Sequence, residues 1–307
     1  MSPFTLAIQD YLAWLRTHGY AKGTVADRSR YLASLATFFA ELDIVDPAQV
    51  SFAALESYQR HLFHHKKRDG APLSFRTQAQ RIIPVKGFFS WLTSQGRIAL
   101  DPSIGVVLPK AEHRLPEATL SAQEAESVLV VPDVTSPLGI RDRAILEVLY
   151  SSAIRRAELI GLKIWDIDHG RGTLFVRQGK GARDRHVPIG PRALSWTSRY
   201  VEVVRPKLSA RSDNEVLFLS SSGEPLCADW LSRTVTAYIR AGAPTKHGSC
   251  HLFRHTAATL MLEGGADIRY VAEMLGHAKL ETTQLYTRVS IGKLQAVHAA
   301  THPTGND

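Results

Sequence analysis

Val176-Arg177-Gln178-Gly179-Lys180-Gly181-Ala182-Arg183-Asp184-Arg185-His186-Val187-Pro188-Ile189 carries strand-forming residues at both ends and a glycine-rich, basic tip between them. The pattern predicts a β-hairpin near 173–189. It decides the fold class of the second half of the chain, because the pattern around it is helical. Helices are expected near 121–131, 139–152 and 156–162 before the hairpin, and near 191–205 and 228–241 after it. Helical pattern then dominates from 250 to 298. Val216-Leu217-Phe218-Leu219 offers one further short strand. The expectation is a mixed α+β domain, mainly helical, with a small antiparallel sheet. Its start is specific: Ser121 followed by Glu124 is a capping box, each side chain bonding the other residue's backbone N–H.

Upstream, Leu108-Pro109-Lys110-Ala111-Glu112-His113-Arg114-Leu115-Pro116 reads as a linker rich in proline and charge. Before it the apolar positions recur only at helical spacing. Phe4, Ile8, Tyr11, Leu12 and Leu15 mark a first helix, closed by His18-Gly19-Tyr20. Thr24 is the expected N-cap of a second helix through Tyr31, Leu32, Leu35, Phe38 and Phe39. Leu55, Tyr58 and Leu62 mark a third, and Ile82, Ile83, Val85, Phe88, Phe89, Trp91 and Leu92 a fourth. The domains expected are therefore a small all-α bundle over 1–108, a linker over 109–119 and the mixed domain over 120–307.

Composition narrows the function. With 307 residues and 44% hydrophobic side chains, the chain can bury two cores. A formal net charge of +8 favours a polyanionic partner through phosphate contacts and counterion release. The two cysteines, Cys227 and Cys250, make neither a disulfide framework nor a Cys-x-x-Cys metal motif. No apolar run approaches the ~18 residues that span a bilayer, and the N-terminus lacks a signal-peptide pattern. A cytoplasmic protein with access to DNA, at the nucleoid and not at a membrane, is expected.

The residues that carry chemistry are cationic or phenolic. His251-Leu252-Phe253-Arg254-His255 places an imidazole and a guanidinium one helical turn apart, on one face. Leu275-Gly276-His277 and then Tyr286 follow. Arg155 lies at a turn between two helices, with Glu158 one helical turn on. Planar guanidinium forks grip phosphate oxygens bidentately, and a tyrosine can form a covalent ester with phosphorus. His251 and His255 have the spacing of a zinc helix, but Leu252 stands where a His-Glu-x-x-His protease needs its base, and no metal is expected. Gly179-Lys180-Gly181 lacks the spacing and hydroxyl of a nucleotide-binding loop, so no ATP, and no cofactor of any kind, is expected. In the first domain, Arg60, His64, Lys66, Lys67 and Arg68 cluster at a helix end. They read either as DNA-backbone contacts or as a solvated face complementing the helix dipole.

Arg155, Lys180, His251, Arg254, His277 and Tyr286, in this order, resemble the catalytic set of the tyrosine recombinase (phage integrase) family, most closely its Xer type. Ala153 departs from the glycine common at that turn in the family. The resemblance implies a SAM-like helical core-binding domain followed by a tyrosine-recombinase catalytic domain. It implies site-specific DNA recombination through a 3′-phosphotyrosyl intermediate, as in integration, excision or dimer resolution. Arg155 and Arg254 would grip the phosphate, Lys180 would protonate the 5′-oxygen, and His277 would donate to the phosphate. His251 would assist proton transfer at the nucleophile, Tyr286. Glu158 would orient the basic groups from behind, its plainer alternative being a surface ion pair. The implied partner is duplex DNA bearing an inverted-repeat site, bound by a homo-tetramer or by a hetero-tetramer with a second recombinase. The rival readings are a type IB topoisomerase, a DNA-binding protein that has lost catalysis, and a metal-dependent hydrolase.

Overall fold

The computed structural model describes residues 2–67, 69–110, 119–177, 184–209 and 215–276. Arg68, Lys180, His277, Tyr286 and the tail after Tyr286, where an amphipathic helix over 290–300 is expected, lie outside the described residues. The chain divides into two compact units, Met1–Arg114 and Leu115–Asp307.

The first unit is built from α1 (Pro3–Thr17), α2 (Lys22–Ala40), α3 (Phe52–His64) and α4 (Phe75–Ser94). Serine caps start three of them: Thr5 N donates to Ser2 Oγ, Ala54 N to Ser51 Oγ and Thr77 N to Ser74 Oγ. Each satisfies one of the amide donors that a helix start leaves unpaired. Thr24 is not a cap. The second helix begins at Lys22, behind Ala21, without a side-chain cap. Phe4, Tyr11, Leu15, Leu35, Phe39, Tyr58, Leu62, Phe88 and Phe89 close into one core. Most apolar positions read from the sequence turn inward, but Ile83 faces outward at 49% exposed, and Tyr31 and Phe38 are only partly buried.

In the second unit the capping box forms: Ser121 N donates to Glu124 Oε2 and Glu124 N to Ser121 Oγ, at the start of α5 (Ala122–Leu129). α6 (Pro137–Ser152) is the buried axis of the unit, and it carries its charges inside as compensated pairs. Arg141 bonds Asp142, which also accepts from Tyr238, while Glu147 takes both Arg143 and Arg192. Buried charges persist only when paired in this way. A short α7 (Arg156–Gly161) leads to the sheet, β1 (Ile167–Asp168), β2 (Thr173–Val176) and β3 (Arg185–Pro188), antiparallel in the order β1-β2-β3. Thus the hairpin forms with Val176 opposite Arg185.

Val216–Leu219 does not join that sheet. Among the described residues it makes only single bridges, Lys163 with Val216 and Leu219 with Pro225. Side chains take the place of a neighbouring strand: Arg205 donates to the Val216 and Leu217 carbonyls, Arg141 to the Leu219 carbonyl, and Leu219 N to the Tyr200 hydroxyl. α8 (Pro191–Arg199) runs through a π-helical turn at Tyr200–Val204 into α9 (Arg205–Ser209). α10 (Ala228–Gly242), α11 (Cys250–Glu263) and α12 (Ile268–Leu275) follow, so the long helical pattern after 250 is broken at Gly264-Gly265. Among the described residues, no helix is long and apolar enough to cross a membrane.

Candidate functional site

The site begins where α6 ends. Ala153 terminates that helix in the left-handed region, at φ 51° and ψ 25°, with its side chain buried. The turn brings Arg155 to the start of α7. The Glu158 carboxylate folds back to accept from the Arg155 backbone N–H at 2.8 Å, so the capping group of the helix is also a counterion. Its Oε1 accepts from Arg155 Nη1 at 2.8 Å. Arg185, at the start of β3, donates Nη1 to Oε1 at 3.0 Å and Nη2 to Oε2 at 2.9 Å. Only 6% of the Glu158 side chain is exposed, so this is not a surface ion pair. Burial alone would raise its pKa. The bonds from Arg185 and Arg155 outweigh burial and bring it from 4.5 down to about 2.

α11 brings the second arginine. Arg254 is buried, and donates Nη1 to the Ala153 carbonyl and Nη2 to the Leu275 carbonyl, both at 2.6 Å. One turn earlier, His251 stands exposed at the start of the same helix. Its pKa is held below the ordinary value, first by desolvation and then by the positive charges of Arg254, Arg156 and Arg155. A neutral imidazole, able to accept a proton, is the form this environment favours near neutral pH.

The last wall is the C-terminal end of α12, closed by Gly276 in the left-handed conformation at φ 61°. Three successive carbonyls there each take one arginine: Met274 from Arg185, Leu275 from Arg254 and Gly276 from Arg155. The carbonyl end of a helix carries partial negative charge, and guanidinium groups complement it. Arg155, Arg185 and Arg254, distant in sequence, therefore meet at the helix end that precedes His277 in the chain.

Two participants are not legible in the sequence. Arg185 belongs to the hairpin that the sequence marks only as basic, and Arg156 lies beside Arg155, where it bonds Ser232 and the Ala228 carbonyl. Charge alone gives no signal for either. In the first unit, Arg60, His64, Lys66 and Lys67 are all exposed. Lys66 and Lys67 lie on a small loop after α3, where Lys66 pairs with Pro72 and Lys67 N donates to the Ala71 carbonyl. Among the described residues, no group of three or more His, Cys, Asp or Glu could hold a metal ion.

The sequence profile of the phage integrase family matches residues 118–292. The tyrosine recombinase XerC 2 of Ralstonia nicotianae is 45% identical over 285 residues, covering 93% of this chain and 82% of that protein. The tyrosine recombinase XerD of Lacticaseibacillus casei is 36% identical over 299 residues, 97% of this chain and 99% of its own. Among solved structures, the XerH site-specific recombinase bound to palindromic difH substrate in a post-cleavage complex aligns with a TM-score of 0.70. It is 22% identical and covers 90% of this chain and 79% of that one, a likeness of fold. A lambda integrase tetramer bound to a Holliday junction gives 0.68 at 18% identity, over 92% of this chain and 76% of that one.

Proposed function

Since the chain belongs to the phage integrase family of tyrosine recombinases, and is an Xer-like site-specific recombinase that cuts and rejoins DNA through a tyrosine intermediate, we propose how its own residues divide that work. The observation that carries the reading is the convergence of Arg155 and Arg254 on adjacent carbonyls of one helix end.

Arg155 and Arg254 grip the non-bridging oxygens of the scissile phosphate. A guanidinium carries five N–H donors, so bonds to carbonyls that fix its plane leave it able to donate to an anion. Held in advance, the pair stabilises the charge that develops at phosphorus without reorganising. Tyr286 attacks phosphorus, and the bond to the 5′-oxygen breaks, leaving a 3′-phosphotyrosyl ester and a 5′-hydroxyl. His251 helps to move the tyrosine proton, Lys180 protonates the leaving 5′-oxygen, and His277 donates to the phosphate. The ester retains the energy of the broken bond, so a 5′-hydroxyl from a second duplex can reverse the step with neither ATP nor metal.

The same reading gives residues 1–108 the role of a helical DNA-binding domain, joined by a linker over 109–119 to the catalytic domain over 120–307. Arg60, His64, Lys66, Lys67 and Arg68 contact the DNA backbone. Four protomers, alike or paired with a second recombinase, assemble on two inverted-repeat sites in the cytoplasm, at the nucleoid.

The test is Tyr286→Phe on a nicked suicide substrate, from which the cleaved strand end diffuses away and the covalent adduct accumulates. The variant is expected to bind half-site DNA as the native chain does and to form no adduct. An adduct that persists would remove Tyr286 from its role.

A further inference from the structure

Arg185 has every nitrogen engaged within the protein. Nη1 and Nη2 straddle the two oxygens of Glu158, while Nε donates to the Met274 carbonyl at 3.0 Å. Only 11% of the side chain is exposed. Gly276 shows how closely it is seated: a Cβ there would lie 3.1 Å from both Cζ and Nε of Arg185. The glycine at the end of α12 therefore meets two demands, a positive φ and room for a guanidinium pressed against the backbone.

Arg155 differs. It gives one terminal nitrogen to Glu158 and the other to Gly276. The two arginines share Glu158 Oε1, and they hold carbonyls on either side of the one held by Arg254. We propose that Arg185 is a positioning residue for strand cleavage: by clamping Glu158 and the Met274 carbonyl together, it fixes the plane of Arg155 against the end of α12. This rests on the reading of Arg155 as a phosphate ligand.

Without Arg185 the carboxylate is held, among the described residues, by Arg155 alone, through its backbone N–H and Nη1, and it no longer braces Arg155 against β3. The end of α12 loses one of the three donors that hold it. A lysine does not substitute, because one ammonium cannot span two carboxylate oxygens and a carbonyl in fixed directions. The loss falls on geometry, where a shift of about 1 Å costs up to ~10²-fold in rate.

The experiment uses the full chain with Arg185→Gln and Arg185→Lys, and Arg155→Ala in parallel. Half-site binding is read by gel shift, and single-turnover adduct formation on the suicide substrate is followed from pH 5 to pH 8. Both Arg185 variants are expected to bind DNA normally and to lose ~10²-fold in adduct rate. The deficit is expected to widen toward pH 5, because Glu158 with one partner protonates more readily and releases Arg155. Native cleavage by Arg185→Lys overturns the proposal, since charge alone would then suffice. So does a deficit that is independent of pH, which a purely structural role would give. If Arg185→Gln fails to fold, Arg185→Lys, which keeps the charge and most of the bulk, decides the matter alone. Normal cleavage by Arg155→Ala would instead overturn the phosphate-grip reading itself, so the two failures are distinct.

Discussion

Replacing Glu158 by Gln keeps the shape of the side chain and removes its charge, which tests whether the arginine cluster depends on one buried carboxylate. In the native protein that group takes four hydrogen bonds, one from the Arg155 backbone, one from the Arg155 side chain and two from Arg185. Removing one partner of a buried charge network typically costs about 3–5 kcal/mol, because the remaining charges stay buried without compensation. The pH dependence gives an independent magnitude. The pKa falls from 4.5 to about 2 on folding, and at about 1.36 kcal/mol per unit this corresponds to ~3 kcal/mol. The folded-state pKa is the lower one, so the contribution is complete above pH 4.5 and declines as the pH falls toward 2. By pH 3.5 about 1.4 kcal/mol of it is gone. Urea unfolding of the full chain and of Glu158→Gln, at pH 7 and again at pH 3.5, measures both quantities. The stability gap is expected to be large at pH 7 and narrower by about 1.4 kcal/mol at pH 3.5. A gap below ~1 kcal/mol at pH 7, the range of an exposed pair, would refute the reasoning, as would a gap that does not change with pH.

Three further outcomes follow from particular residues. Ala153→Gly relieves a left-handed alanine worth about 1–2 kcal/mol, but it gives up one buried methyl and adds chain entropy, each near ~0.8 kcal/mol. Denaturant unfolding is therefore expected to move by less than ~1 kcal/mol, with cleavage retained, whereas Ala153→Val, β-branched at the same φ, is expected to destabilise clearly. Replacing Lys66 and Lys67 by Ala should lower affinity for specific and random duplexes alike. It should also make log affinity fall less steeply with log salt, by ~1 in slope for each lysine–phosphate pair removed, read by anisotropy titration. Strand cleavage should proceed at the native rate in excess EDTA at matched ionic strength, because guanidinium groups supply the charge at phosphorus; a loss restored by a divalent cation would contradict this.

What is legible in the sequence divides along a physical line. Periodicity reports which residues turn inward, so Phe4, Leu15, Leu32 and Phe88 read as core and are core. Capping at Ser121 is local chemistry between residues three apart, and it is legible for the same reason. Val216–Leu219 reads as a strand and is not one in the sheet, because a short apolar run looks alike whether its carbonyls face a strand or a buried arginine. Here Arg205 and Arg141 receive them. β1, only two residues long, has no period to detect.

The candidate site shows the same division more sharply. His251 and Arg254 lie three apart on one helix, a relation that spacing expresses. That Arg185 shares a carboxylate with Arg155, across α7 and the strands β1 and β2, is expressed by no spacing at all. Gly276 marks where the two kinds of information meet. Its left-handed φ is a local requirement that any helix end can impose, and a sequence shows it. The close seat of the Arg185 guanidinium against it is a tertiary requirement that looks identical in the sequence. A glycine placed for either reason is the same letter, so the arginine it accommodates is visible only in the folded structure.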